Sequence, residues 1–589
     1  MASNLNKDHL NDPSLEGAER YLLPPDQVHF SISPDYVAGI EATTGDFHII
    51  GQPRAISALK MAISINAKGY NVFASGLPGT GKRTAITSIL KEYQPDISCI
   101  QDIAFAANFG DDLAPRLIRF PKGEARLFQK KLKETLSRLR NRSRELFKKR
   151  QFRDQRDKII IDTEGKDNTL LKDFENRLGE QGFQLVRLMD QEESHPDIFP
   201  VFRGEAMDFE KLQDFVQTGE LSQEDFQLLR EQYFRFTDEL NQLFMEIHDN
   251  RLQMEDSIGT LRTQALAPLV EAELRPLFDE WVSKEITGFL GSLKKHLPEA
   301  LSQPESEENT AEILLARCSL NVLIDHSETE GAPIVFETNP DMTKLFGLVE
   351  SPQENSEPRP PHQLMRAGSL LQASGGFLVL RAEDVLQQED VWHGLKRALE
   401  SGRTEIRNHP GPYGVAGPAI KSGDIPLHVK VIMTGTDGLY EMLYNIDEEF
   451  QKLFKVPAEF DSVMPRCDQA IREYIGFASM ICQEENLRPT TPDGLAAIIE
   501  YGVRLAEHRD HLSTQFSLIA DLLREADYWA RQAESSRISA AMVHRALDER
   551  RFLANLPEEK IDEQIQSGEL LIDVQGTAVG RINGLAILD

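Results

Sequence analysis

A glycine-rich loop constrains this chain more than any other feature. Gly76-Leu77-Pro78-Gly79-Thr80-Gly81-Lys82 follows a short apolar run, YNVFASG (70–76), and precedes a helical stretch, AITSILKEY. The spacing fits GxxxxGK between a strand and a helix, the pattern of an α/β phosphate-binding unit. Glycines let successive backbone N–H groups curl round a phosphate, and the lysine and the following helix N-terminus add positive charge. Gly76, Pro78, Gly79, Thr80, Gly81, Lys82, Arg83 and Thr84 are therefore the candidate phosphate-contacting residues. One position departs from the pattern. The residue after the lysine is ordinarily Ser or Thr, whose hydroxyl binds Mg²⁺. Here it is Arg83, with Thr84 one step later. One residue on a helix is a rotation of about 100°, so Thr84 is not expected to point where Arg83 does.

Charge patterning divides the rest of the chain. The 589 residues hold 65 Lys and Arg against 95 Asp and Glu, a net charge of −30. Such acidity argues against a nucleic-acid or membrane-surface protein. No apolar run approaches the roughly 18–20 residues that span a bilayer, and the N-terminus lacks the apolar core of a signal peptide. Cys99, Cys318, Cys467 and Cys482 form no CxxC pair, so each reads as a small core residue in a reducing cytoplasm. The stretch 122–158 is different, with 15 basic residues against 5 acidic ones. It is long and helical, with Leu132, Leu139 and Leu146 seven apart and Leu136 between the first two. Further on, Phe226, Leu229, Tyr233, Phe236, Leu240, Leu243 and Ile247 alternate spacings of three and four. That heptad seam predicts an antiparallel coiled arm between about 120 and 300, its basic residues forming a solvated face. The alternative is a nucleic-acid patch on 122–158.

After the linker LSQPESEENT (301–310) the α/β pattern resumes, with strands at 320–326, 333–338, 375–380 and 429–435. From 466 to 555 the pattern is nearly all helix, and the last stretch, from 568, reads as a β-hairpin with Gln-Gly at its turn. His508 and His511 stand three apart, as a metal pair or, on the plainer reading, a solvated helix end. No metal site is assigned. The Gly/Pro loop 409–418 holds Tyr413, either a substrate-gripping aromatic or part of a plain surface loop.

The order of several segments is more specific than any one of them. IGQPRAISAL, SGLPGTGKRTA and FAANFGD are followed by NPDMTKLFGLVE, HQLMRAGSLLQASGGFLVL, IPLHVKVIMTG and EFQKLFKVPAEF, then by LSTQFSLIADLLREADYWA and GTAVGRINGLAIL. This ordered set resembles the AAA+ module of Lon-type ATP-dependent proteases, in the bacterial branch with a helical insertion inside the ATPase domain. The resemblance implies a tail (1–25), an AAA+ α/β domain in two parts (26–120 and 311–463) split by a helical coiled-coil insertion (121–310), an all-α lid (464–556) and a short β stump (557–589) that begins a Lon-type serine peptidase. The rest of that peptidase, with its Ser–Lys dyad, is expected to be missing from this chain. The resemblance also implies ATP or ADP as ligand, a hexameric ring, protein substrates and a cytoplasmic location.

Several charge-handling positions depart from the family. The strand that ordinarily ends in an Mg²⁺-binding Asp ends here in Arg381-Ala382, with Glu383 and Asp384 late. Those two are the candidate catalytic acids, or they only begin the next helix, where acids suit the dipole. Thr434 or Thr436 stands where a polar sensor is expected, and Thr434 joins the nucleotide-contacting set. The trans-acting arginine falls among Lys452 and Lys455, with Arg466 nearby, and the second sensor arginine falls on Gln515. Arg524 is expected to pair with Glu525 or a neighbour. Altered hydrolysis with retained nucleotide binding follows, and Mg²⁺ loses its usual ligands. The alternative is a degenerate, nucleotide-independent assembly or substrate-recognition module.

Overall fold

The computed structural model describes residues 30–40, 49–95, 99–190, 193–302, 315–350, 359–406, 420–572 and 575–580, with 582 and 584. The tail 1–25 and the loop 409–418 with Tyr413 lie outside the described residues, as does most of the linker 301–310.

Five strands form the central sheet: β1 (Val72–Gly76), β2 (Ile334–Glu337), β3 (Gly376–Arg381), β4 (Val429–Thr434) and β5 (Val456–Phe460). Their spatial order is β5-β1-β4-β3-β2, and every neighbouring pair is parallel. Parallel sheets are covered on both faces, which is why these strands read as continuous apolar runs. Alternate residues divide between the faces. Phe73, Leu378, Leu380, Val431 and Met433 pack into one core. Val72, Ala74, Phe377, Val379, Ile432 and Ala458 pack into another. Because the pairing is parallel, Gly76, Glu337, Arg381 and Thr434 come together at the carboxyl ends of their strands, the edge where open α/β sheets bind ligands.

Helix α1 (Lys82–Glu92) leaves the loop after β1. The chain then departs from the sheet. Gln101–Ala106 pairs antiparallel with Arg116–Pro121 on one side and Leu320–Ile324 on the other. The segment 320–326 thus belongs to this small sheet and not to the central one. Between its strands runs the arm: α2 (Glu124–Lys148), α3 (Arg150–Glu180) and α4 (Gln223–Glu280). At 58 residues, α4 is about 87 Å long. Its cross-contacts fix an antiparallel course, because Lys131 meets Glu280, Arg138 meets Glu273, Asp167 meets Asn250 and Arg177 meets Glu239. The basic run is therefore partly neutralised within the fold. Leu132, Leu136 and Leu139 are buried against Leu266, Val270 and Leu274 of α4 and against α5 (Lys284–Leu301). The seam residues Phe236, Leu240, Leu243 and Ile247 are buried against Phe174 and Leu178. The seam reading missed one element. Phe183–Asp190 pairs antiparallel with Glu193–Phe202, and Phe183 and Ile198 join the same cluster.

Helix α6 (Ala382–Leu386) follows β3, and α7 (Asp437–Ile446) follows β4. Beyond β5 a helical body packs α8 (Asp468–Glu484), α9 (Pro492–Leu505), α10 (Phe516–Gln532) and α11 (Ala540–Ala554) round its own core. It also holds a short antiparallel ladder between Val463–Pro465 and His511–Ser513. Of the expected terminal hairpin, residues 573–574, 581, 583 and 585–589 lie outside the described residues, and the described stretches 568–572 and 575–580 carry no strand. Among the cysteines Cys318 and Cys482 are buried but Cys99 and Cys467 are exposed, so only two are core residues. No helix among the described residues is long and apolar enough to cross a membrane.

Candidate functional site: a phosphate loop under a helical lid

The loop's glycines are demanded by its surroundings. Gly76 has φ +134°, and a Cβ there would lie 2.5 Å from the Phe460 carbonyl oxygen on β5. Gly79 has φ +85°, and a Cβ there would lie 1.9 Å from Ser517 Oγ at the start of α10. The lid thus touches the loop at its tip. Gly81, at φ +79°, caps α1 and turns that helix's first N–H groups toward the loop. Thr80 is buried, and its hydroxyl donates to the Leu77 carbonyl at 2.9 Å. Lys82 Nζ donates to the Gly76 and Leu77 carbonyls at 2.6 and 2.9 Å. Burial lowers the Lys82 pKa, while Asp437 and Glu383 oppose that shift.

A cleft of about 500 Å³ opens beside the loop. Pro78, Gly79, Gly81, Lys82, Arg83 and Thr84 line one wall, so Arg83 and Thr84 both border the cleft despite the helical rotation between them. Phe336, Glu337, Arg381 and Thr434 line the sheet wall; Phe477, Phe516 and Ser517 line the lid wall. Arg83 lays its guanidinium over the Phe336 ring, 5.0 Å from the centroid. Arg381 Nε stands 3.7 Å from Asp384 Oδ2. The Thr434 hydroxyl donates to the Leu380 carbonyl at 3.3 Å.

The remaining sequence candidates do not line the cleft. Glu383 and Asp384 occupy the first turn of α6; neither lines the cleft, although Glu383 is near enough to raise the Lys82 pKa. Thr436 caps α7 by accepting from the Leu439 N–H. Lys455 Nζ lies over the Tyr70 ring at 5.2 Å. Arg466 stacks on Phe30 and donates to the Arg509 carbonyl, and Gln515 stands at the start of α10. Of the two partners expected for Arg524, Glu525 or a neighbour, the structure gives the neighbour. Arg524 holds Glu485 and Asp521, while Glu525 holds Arg550, because side chains one apart on a helix diverge. His508 and His511 meet through their Nδ1 atoms at 2.8 Å. Sequence reasoning missed Asp437, Phe336 and Ser517, none of which sits in a recognisable motif.

A parallel sheet of order 5-1-4-3-2, with a phosphate loop after its inner strand and a helical lid against that loop, defines an AAA+ P-loop ATPase module. Within that class, three stretches of the chain match models of Lon-type domains. Residues 330–461 match the LonB-like AAA domain, 489–552 the AAA+ ATPase lid domain of archaeal LonB, and 102–135 the Lon-like LonC helical domain. A Lon protease homolog of Escherichia coli is 21% identical over 230 residues, which are 38% of this chain and 37% of that protein. Its Haemophilus influenzae counterpart is 24% identical over 256 residues, 42% and 39% of the two chains. The archaeal Lon protease of Methanocaldococcus jannaschii is 22% identical over 204 residues, 34% and 30%. The chain thus spans well under half the length of these relatives. Among solved structures, NtrX from Brucella abortus in complex with ATP aligns with TM-score 0.26 and 16% identity, over 40% of this chain and 51% of that one. A RuvB mutant of Thermotoga maritima aligns with TM-score 0.23 and 14% identity, over 46% and 71%.

Proposed function

We propose that this chain is the nucleotide-responsive AAA+ module of a Lon-like ATP-dependent serine protease, in which nucleotide at the loop sets the lid and so gates protein substrates. In this reading 26–120 and 311–463 form the ATPase body, 121–310 the arm and 464–556 the lid. The observation that carries it is the contact between Ser517 and Gly79, which leaves no room even for a Cβ between lid and loop. A phosphate cradled by the loop's N–H groups and Lys82 would touch both bodies at once, so binding and lid position are linked. The module assembles as a homo-oligomeric ring, on family grounds. Hydrolysis is weak, because the end of β3 presents Arg381 in place of an acid and the expected trans-acting position offers lysine, which lacks the planar guanidinium fork.

The test is an ATPase assay paired with amide exchange on the purified chain. Turnover stays below about 1 s⁻¹, while ATP slows exchange in Phe516–Gln532 and Lys82→Ala abolishes that slowing. Turnover at or above that rate, lost on Lys82→Ala, would overturn the weak-hydrolysis reading. Arg83 and Arg381 also favour a second reading, a nucleotide-independent assembly module. Exchange in the lid that ignores ATP would select it.

A further inference from the structure

The fold class implies Mg²⁺ beside the nucleotide phosphates, held by a hydroxyl after the loop lysine and by a carboxylate at the end of a neighbouring strand. The donor set here does not fit that ion. Both positions carry a guanidinium, Arg83 after Lys82 and Arg381 at the end of β3. A guanidinium has five N–H donors, no acceptor and a fixed positive charge, so it cannot ligate a cation. The Thr434 hydroxyl is turned onto the Leu380 carbonyl, and Glu337 accepts from the Asn339 N–H at 3.0 Å. Among the described residues no group of three His, Cys, Asp or Glu is arranged to hold a metal.

We propose that the cleft is a metal-independent polyphosphate cradle, in which Arg83 and Arg381 together with Lys82 supply the positive charge that a divalent cation brings to related sites. The ligand class is a nucleoside di- or triphosphate taken as the free anion. Relative to the usual pair, a neutral hydroxyl has become a cation and an anionic carboxylate has become a cation. A divalent ion is repelled there and a triphosphate attracted. The local acids do not reverse this. Asp384 is partly engaged by Arg381 at 3.7 Å, Asp437 and Glu383 act on Lys82, and among the described acids only Glu337 lines the cleft. Both arginines border the same cleft as the loop. Arg381 is two-thirds exposed and free to turn, and Arg83 is steadied beside the opening by the Phe336 ring. Their planar forks suit phosphate oxygens in a bidentate mode.

The inference rests on the reading that the loop takes nucleotide, so its test separates the two. ATP is titrated calorimetrically into the full chain, once in excess EDTA and once in excess Mg²⁺. The expected dissociation constants agree within about threefold. Affinity at least about tenfold weaker in EDTA overturns the inference and leaves the nucleotide reading standing. No binding in either buffer overturns the nucleotide reading, and the inference with it. The paired variant Arg83→Thr with Arg381→Asp, at two exposed positions, is expected to bind ATP at least about tenfold more tightly in Mg²⁺ than in EDTA. A paired variant that keeps the parent affinity in both buffers also overturns it, since the arginines would then contribute nothing.

Discussion

Lys82 shows how much chemistry one residue position fixes. Its ammonium lies within reach of two loop carbonyls because GxxxxGK spacing wraps the backbone round it, so the sequence singles out the position without a fold. Asp437 acts on the same ammonium from 355 positions away in the sequence, and nothing in TGTDGLY marks it. Buried polar residues outside motifs carry equally definite consequences. His362 is buried, its Nε2 donates to the Ser319 carbonyl at 3.1 Å, and burial pushes its pKa down to about 4. Asp112 pulls that value up and Arg317 pulls it down. The unfolded chain binds this proton from about pH 6.5 downward, but the folded chain resists until about pH 4. Stability is therefore complete above about 6.5 and lost progressively as pH falls toward 4. Between pH 7 and pH 5 the loss is about 2 kcal/mol. Urea midpoints at those two pH values should fall for the parent chain and fall less for His362→Gln. Equal slopes for the two proteins would assign the acid sensitivity elsewhere.

At the scale of elements, period decides what is visible. The seam from Phe226 to Ile247 keeps its spacing over three heptads, and its last four core positions, Phe236, Leu240, Leu243 and Ile247, are indeed buried. The strands Phe183–Asp190 and Glu193–Phe202 were hidden because eight and ten residues without regular apolar alternation lie between helices of 31 and 58 residues. The seam makes its own prediction. Leu240 packs with Phe174, Leu178, Phe183, Ile198 and Phe236, and none of these belongs to the cores under the sheet or lid. Leu240→Ala should cost about 2–4 kcal/mol of arm stability. Amide exchange should quicken by at least about tenfold in Leu170–Ile247 and stay unchanged in β1 and β4. Equal acceleration everywhere would mean that arm and sheet unfold as one unit.

Across the whole molecule the question is how a chain that leaves the sheet after α1 returns to it as β2 with the strands in order. No local pattern reveals that Leu320–Ile324 pairs with Gln101–Ala106, since more than 200 residues separate them. The answer includes one carboxylate. Asp102 is fully buried; its Oδ2 accepts from the Ala125 N–H in the first turn of α2, and its Oδ1 accepts from the His326 N–H just past the returning strand. Departure, arm and return are thus joined at a single side chain. A carboxylate suits this place because it presents two acceptors and no donor, and because a helix N-terminus favours negative charge. Asp102→Asn keeps the shape but turns one acceptor into an NH₂ group that faces an N–H. The backbone N–H and the NH₂ facing it then both go unpaired, at a cost of about 1–3 kcal/mol or more. The urea midpoint should fall accordingly, and amide exchange at Ala125 and His326 should quicken. ATP affinity should hold, because neither backbone partner of Asp102, Ala125 or His326, lines the cleft. An unchanged midpoint would mean that apolar packing of Ile118, Phe120 and Phe128 alone closes the arm root. A lost ATP affinity would mean that the root and the loop are coupled through the sheet, and the arm would then be a second lever on the nucleotide site.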